Sequence, residues 1–183
     1  MNAYPDISTA DIKDIEDIVA LLNCSYRGER SRKGWTTEAD LIGGEVRTDI
    51  RDVTAVMQMP ESVFLIIRAA NGTLEGCVNL RKTANKAYLG MFSVLPELQG
   101  KGLGKRLMHK AEDWSRSLGC DVLYMHVISR RKELIAWYER LGYADTGARI
   151  DFREDGLSGN HLRELEFMVM EKRLHPKDRP ENT

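Results

Sequence analysis

Val94-Leu95-Pro96-Glu97-Leu98-Gln99-Gly100-Lys101-Gly102-Leu103-Gly104-Lys105-Arg106-Leu107 is the stretch on which the reading of this sequence turns. Three glycines fall within five residues, between the apolar end of a strand and the start of a helix. Glycine lets the backbone approach a ligand closely and adopt φ > 0. A helix N-terminus adds unpartnered N–H groups and a partial positive charge, which suits a phosphate. From Gln99 to Lys110 there are four basic residues, Lys101, Lys105, Arg106 and Lys110, and no acid. In a chain of formal net charge −1, with 27 Lys+Arg against 28 Asp+Glu, that local excess points at an anion. Two common phosphate loops do not fit. A Walker loop would need Gly where Gln99 stands and Ser or Thr where Arg106 stands. The dinucleotide fingerprint Gly-x-Gly-x-x-Gly ends on Lys105 or Leu107 instead of glycine. Composition leaves a loop with a solvated basic helix face equally open.

Downstream of the loop, Leu103, Leu107, Ala111, Trp114 and Leu118 recur on one face of a long helix that Gly119 ends. Residues 122–128 are apolar on both faces, which predicts an interior strand. Leu134, Ile135, Tyr138 and Leu141 predict a shorter helix ended by Gly142, and residues 143–150 and 162–174 read as two closing strands. Upstream, residues 62–69, 74–81 and 86–95 are three antiparallel strands, the first two joined through Asn71-Gly72, a hairpin signal. Residues 48–59 predict a helix stopped by Pro60. Ile7 to Thr9 is a short strand, after which Ile12, Ile15, Val19 and Leu22 show helical spacing. Residues 27–33 read as a basic, glycine-bearing loop, and Thr36 or Thr37 before Glu38 predicts a second short helix. The order is strand, helices, a meander of three, helix, strand, helix, hairpin. It describes a mixed α/β sheet with helices on both faces.

The 183 residues suit one domain with a sizeable core, and 42% apolar with 30% charged residues argue against wholesale disorder. The even charge balance argues against a nucleic-acid binder. The longest apolar run, Val63-Phe64-Leu65-Ile66-Ile67, is far short of the about 20 residues needed to span a bilayer. The first 30 residues open polar and acidic, so no secretory leader is expected. Cys24, Cys77 and Cys120 form no Cys-x-x-Cys pair and leave an odd count, so neither a metal site nor a disulfide framework is expected. The expectation is a soluble cytoplasmic enzyme without a metal, membrane or nucleic-acid partner. Residues 5–174 form the domain and 175–183, with Pro176 and Pro180 and no apolar residue, a flexible tail.

At this point the sequence resembles a known family. Gln99-Gly100-Lys101-Gly102-Leu103-Gly104 matches the Gln/Arg-x-x-Gly-x-Gly/Ala motif of the GNAT superfamily of acyl-CoA-dependent N-acetyltransferases. Phe92-Ser93-Val94-Leu95-Pro96 is similar to the strand and proline that precede it. Residues 131–143, Arg-Lys-Glu-Leu-Ile-Ala-Trp-Tyr-Glu-Arg-Leu-Gly-Tyr, resemble the family's second motif, Asn-x-x-Ala-x-x-x-Tyr ending in Gly-Phe/Tyr. Both motifs stand in the family's order with a helix and a strand between them, and residues 167–174 are similar to its last strand. The resemblance covers roughly residues 5–174 and implies one mostly antiparallel sheet of six to seven strands, with helices on both faces and a splayed central pair.

The resemblance also implies roles. Acetyl-CoA is the cosubstrate, with no permanently bound cofactor. Its pantetheine arm would lie against backbone groups of Phe92, Ser93 and Val94. Its pyrophosphate would lie on backbone N–H groups from Gln99, Gly100, Lys101, Gly102, Leu103, Gly104 and Lys105. Tyr138 matches the tyrosine that serves as general acid for the CoA thiolate. A phenol, pKa about 10, within hydrogen-bond reach of a thiolate, pKa about 8.5, can supply its proton at a modest uphill cost. Without the family, Trp137 and Tyr138 read equally as core aromatics. Two positions depart from the motif: Arg131 stands for Asn, and Leu134 for Ala. The donor fork of Arg131 suits a phosphate of CoA or a carboxylate on the acceptor.

The acceptor amine must be neutral to attack. Glu97, His126, Ser129 and Glu133 are the candidate bases, and His126 reads also as a satisfied core histidine. The acceptor site of relatives implies residues 26–38 here, with Trp35 and Glu38 as candidates for holding an amine by cation–π contact and ion pairing. A hydrophobic staple and a capping box explain the same two residues. Three net positive charges over residues 27–33 suit an acceptor that also bears a carboxylate. The expected activity is direct transfer of acetyl to a primary amine in a ternary complex, in a protein that the family allows to be a homodimer. A non-catalytic acyl-CoA sensor and an interaction module are the alternatives on the same fold.

Overall fold

The computed structural model describes residues 6–174, and the tail expected over 175–183 lies outside the described residues. The chain runs β1 (Ile7–Thr9), α1 (Ile15–Tyr26), α2 (Gly28–Ser31), β2 (Ile42–Gly43), α3 (Ile50–Met57), β3 (Ser62–Arg68), β4 (Leu74–Thr83) and β5 (Lys86–Val94). It continues through α4 (Leu103–Ser117), β6 (Val122–Ile128), α5 (Lys132–Arg140), β7 (Ala144–Asp151), β8 (Asn160–His161) and β9 (Glu166–Arg173). Seven strands form one sheet in the order β1-β3-β4-β5-β6-β9-β7, and β2 pairs with β8 in a separate two-stranded ribbon. Within the large sheet only β5 and β6 are parallel.

β3 shows why the run Val63 to Ile67 carries no polar residue. Side chains alternate across a strand, and here both faces are covered. Phe64 and Ile66 pack with Ile18 and Leu22 of α1. Leu65 and Ile67 pack on the other face with Leu107 and Met108 of α4. The expected apolar face of α4 is buried at Leu103, Leu107 and Ala111, whereas Leu118 sits exposed just past the helix end, where Gly119 turns the chain at φ +72°. The Asn71-Gly72 turn joins β3 to β4, with Gly72 at φ +88°.

The feature that positions a site is a divergence of β5 from β6. Their pairing ends at Leu89 and Met125, and the C-terminal halves of both strands run on apart. A bulge in β5 accompanies the divergence. Cys77 of β4 faces Ser93 and Asn79 faces Gly90, so Val78 stands against both Met91 and Phe92. Met91 takes φ +44°, unusual for a residue with a side chain. A bulge bends its own strand and increases its twist. β6 keeps an unbroken register on its other edge, paired with β9 through to Ile128 and Phe167.

One expected element is absent. No helix starts at Thr36 or Thr37. The short helix is α2, inside the segment expected to be a loop. The cap signal is overridden by tertiary contacts. Ser31 Oγ lies 2.6 Å from Thr37 Oγ1, and Glu38 is drawn inward onto two guanidinium groups. A second buried charge, Glu112 of α4, was not singled out by sequence. It accepts from Lys172 Nζ at 2.7 Å, Tyr143 OH at 3.2 Å and Arg116 Nη2 at 3.2 Å. The Lys172 bond ties α4 to β9, and the Tyr143 bond ties it to the residue before β7.

Candidate active site

Two cavities open into the gap between the diverging strands. The larger, about 650 Å³, lies between the end of β5, the glycine loop and α5. Of the residues expected to hold a cosubstrate, Phe92, Ser93, Val94, Gln99, Gly100, Gly102, Gly104, Lys105 and Arg131 line it. Leu103 and Lys101 do not: Leu103 is buried in the core below, and Lys101 is exposed. Gly100 and Gly102 take φ +79° and +89°, conformations that require glycine although a side chain would meet nothing within 4 Å. At Gly104 the constraint is space, since a Cβ there would lie 3.4 Å from Phe92 Cζ and close to Trp137. The loop thus delivers the first turn of α4, whose N–H groups lack helical acceptors, to the cavity wall.

Gln99 has a defined structural task. Its Oε1 accepts from the backbone N–H groups of Trp35 and Thr36 at 2.9 and 3.2 Å. Its Nε2 donates to Thr36 Oγ1 at 2.8 Å and to the Val94 carbonyl at 3.0 Å. It clamps the segment after α2 to the end of β5. The Trp137 ring then stacks on Phe92, with centroids 6.0 Å apart and planes 24° apart, and meets Trp35 at 6.1 Å. Trp35, expected beside the amine, therefore stands in the wall of the larger cavity.

The smaller cavity, about 140 Å³, is lined by the unpaired ends of β5 and β6 together with Glu38, Arg47, Tyr88 and Phe167. Tyr26, Phe92, Arg131, Leu134 and Tyr138 line both cavities. Tyr26 fixes this partition by donating its hydroxyl to the Phe92 carbonyl. Tyr138 is buried, and its hydroxyl makes no hydrogen bond among the described residues. Burial pushes that phenol well above the usual tyrosine range, so it stays protonated.

Glu38 and Arg131, expected to reach an amine and an anion respectively, pair with each other. Arg131 Nη1 lies 3.0 Å from Glu38 Oε1, and Arg131 Nη2 donates to the Thr36 carbonyl. The other carboxylate oxygen is 2.5 Å from Arg27 Nη1. Arg27 is itself 2% exposed and donates to the Ser158 carbonyl through Nε and Nη2, at 3.1 and 2.9 Å. Burial alone would raise the Glu38 carboxyl, but the guanidiniums of Arg131, Arg47 and Arg27 hold it below the usual range. The expected cationic loop is neutralised by the protein's own acids. Beyond Arg27, Arg30 and Lys33 pair with Glu97, and Arg32 with Asp40 and Glu29.

The four candidate bases separate. Glu97 is held by Arg30, Glu133 lines the larger cavity, and Ser129 lines neither. His126 lines the smaller one, among the rings of Tyr88 at 5.1 Å, Phe167 at 6.0 Å and Tyr124 at 6.1 Å. Its imidazole makes no hydrogen bond among the described residues, and burial lowers its pKa, favouring the neutral ring. Arg47, Tyr88 and Tyr26 were not singled out by sequence. Tyr26 continues the α1 stripe and reads as core. Arg47 lies in an irregular segment with no local signal.

Residues 15–143 match the Acetyltransferase (GNAT) family. The chain belongs to that family. An IAA acetyltransferase of Azospirillum brasilense is 30% identical over 101 residues, 54% of this chain and 65% of its own length. The uncharacterized N-acetyltransferase YdgE of Bacillus subtilis (strain 168) is 28% identical over 65 residues, 36% of this chain and 41% of its own. The chain thus matches less than two thirds of the length of these curated relatives. Among solved structures, YncA of Salmonella typhimurium with its cofactor acetyl-CoA superposes at TM-score 0.68, with 21% identity over 99% of this chain and 100% of that one. The ribosomal-protein-S18-alanine N-acetyltransferase of Escherichia coli superposes at 0.67, with 16% identity over 98% of both chains. At such identities the likeness is one of fold, the mixed sheet with a splayed β5–β6 pair that GNAT proteins share. Among the described residues no cluster of His, Cys, Asp and Glu is placed to hold a metal, and no helix is long and apolar enough to cross a membrane.

Proposed function

We propose that this chain is an acetyl-CoA-dependent N-acetyltransferase that works by direct attack of a primary amine in a ternary complex. One observation carries the reading: Tyr138 stands in the wall of both cavities, at the junction of a long slot and a small pocket. The slot suits the cosubstrate. Its glycine loop and helix N-terminus offer N–H donors to a pyrophosphate, and Lys105 adds charge. Phe92, Trp137 and Trp35 offer an apolar wall to the pantetheine arm. The pocket suits the acceptor.

In this scheme His126 takes a proton from the amine as its nitrogen bonds to the thioester carbonyl carbon. The C–S bond then breaks, and Tyr138 donates to the departing thiolate. A phenol held protonated by burial is a hydrogen-bond donor to that sulfur throughout, while full transfer of its proton is uphill. None of the cysteines lines either cavity. Burial raises all three thiols, Cys77 to about 12, which supports transfer without an acyl-cysteine. The test is free-thiol release from acetyl-CoA with a panel of amines, alongside melting of the folded protein with acetyl-CoA. Transfer and a raised melting temperature are expected. An unchanged melting temperature in excess acetyl-CoA overturns the reading, and a raised one without transfer favours the acyl-CoA sensor.

A further inference from the structure

Arg47 is the one charged side chain of the smaller cavity that makes no ion pair or hydrogen bond with a carboxylate among the described residues, although its charge also acts on Glu38. Its guanidinium carbon lies 4.4 Å from the centroid of the Tyr26 ring, a cation–π contact that leaves its donor fork unused. The other two charged groups of that wall, Arg131 and Glu38, are 3.0 Å apart, and the second oxygen of Glu38 belongs to Arg27. The acid that sequence offered as an anchor for an ammonium is thus already ion-paired with two cations, and the charge of Arg47 acts on it as well. Among the lining groups Arg47 and Arg131 against Glu38 leave a net +1 around a cavity of about 140 Å³, and Arg27, paired with Glu38 but outside the lining, adds one more positive charge.

We infer that the pocket takes a small amine that carries its own carboxylate, of the α-amino-acid class, and that Arg47 binds that carboxylate. The inference rests on the acetyltransferase reading and names its acceptor class. A guanidinium fork matches a single carboxylate through two parallel hydrogen bonds. At about 30 Å³ per water molecule the cavity has room for a handful of non-hydrogen atoms, which fits a small acceptor. The same charges serve the chemistry. Nearby cations disfavour an ammonium, so the acceptor's amine loses its proton more readily to His126. A polycation meets only repulsion there.

The experiment compares kcat/KM for each of the twenty common amino acids with that for the amine left by its decarboxylation, such as methylamine for glycine, ethylamine for alanine and isoamylamine for leucine, and with spermidine. It uses the full chain and saturating acetyl-CoA. At least one amino acid should exceed its decarboxylated partner and spermidine by roughly 10²-fold, the scale of losing one member of a buried charge pair. Arg47→Gln should cut that preference below about tenfold through KM, and Arg47→Lys, which keeps charge but not the fork, should restore part of it. Both variants should keep the acetyl-CoA melting shift. Decarboxylated amines or spermidine used as well as the acids, or an undiminished preference in Arg47→Gln, overturns the assignment while leaving the transferase reading in place. A melting shift without transfer to any amino acid also overturns it. No shift at all defeats the transferase reading, and this inference with it.

Discussion

Arg131, the N-cap of α5, reaches back across 93 positions of sequence to Glu38, and their side chains meet at 3.0 Å. With Arg27 at 2.5 Å on the other oxygen, Glu38 becomes the centre of a buried Arg-Glu-Arg cluster. That cluster joins the segment after α2 to the start of α5 and, through Ser158, to the loop before β8. Glu38 and Arg131 of this cluster stand in the wall of the smaller cavity, so part of that wall is held by charge.

Removing Glu38 should destabilise the protein more than its place in a loop suggests. Two guanidiniums would be left buried without a counter-ion, at a cost of about 3–5 kcal/mol. Urea unfolding of Glu38→Gln against wild type measures it. The pH dependence follows. The folded carboxyl sits below the usual value of about 4.3. Its stabilisation is thus fully present above about pH 4.3 and is lost as pH falls through the lower folded value. The wild type should show this loss on acidification, and Glu38→Gln should lack it. A variant as stable as wild type at pH 7 would remove Glu38 from the architecture.

Gly104→Leu places a side chain between Phe92 and Trp137 at the wall of the larger cavity. Helix propensity tolerates leucine there, so folding should survive while the slot is blocked. The expected outcome is circular dichroism like wild type and no melting shift in acetyl-CoA. An intact shift contradicts the placement of the cosubstrate.

Tyr138→Phe keeps the ring against Tyr143 and Trp137 and removes only the hydroxyl. A drop in kcat on the order of 10²–10⁴ is expected from the loss of a general acid, with KM for acetyl-CoA nearly unchanged. Wild-type turnover under conditions where chemistry limits the rate excludes the phenol from the mechanism.

His126 should set the acid limb of the rate profile. The base acts as the neutral ring, so activity falls as the ring is protonated. Burial lowers its pKa, and the limb should therefore lie below about pH 6.5. His126→Gln should be slower at pH 7 and should lose this limb in kcat/KM for the acceptor. A variant that keeps the limb assigns the titration to another group.

Local pattern was enough for much of the fold. The glycine loop, the two-faced apolar strand β6 and the helix stops at Gly119 and Gly142 each follow from the conformational limits of one residue type or from a short hydrophobic period, which needs no distant partner. The same local information placed Tyr138 on a helix face and flagged the basic excess across the start of α4. It misread residues 36–38, because a cap signal of a few tenths to about 2 kcal/mol yields to a buried ion pair contributed by Arg27 and Arg131. It read the charges of residues 27–33 as free when partners such as Glu97 and Asp40 take them up. Arg47 is the clearest case of what only the tertiary structure decides. Nothing in its neighbours distinguishes it from a solvated arginine, and its significance arises only when the bulge at Met91 parts β5 from β6 and opens a cavity beside Tyr26. Whether a charge is available to a ligand depends on which other charges the fold brings within a few ångströms, and that is a property of distances in space, not of spacing along the chain.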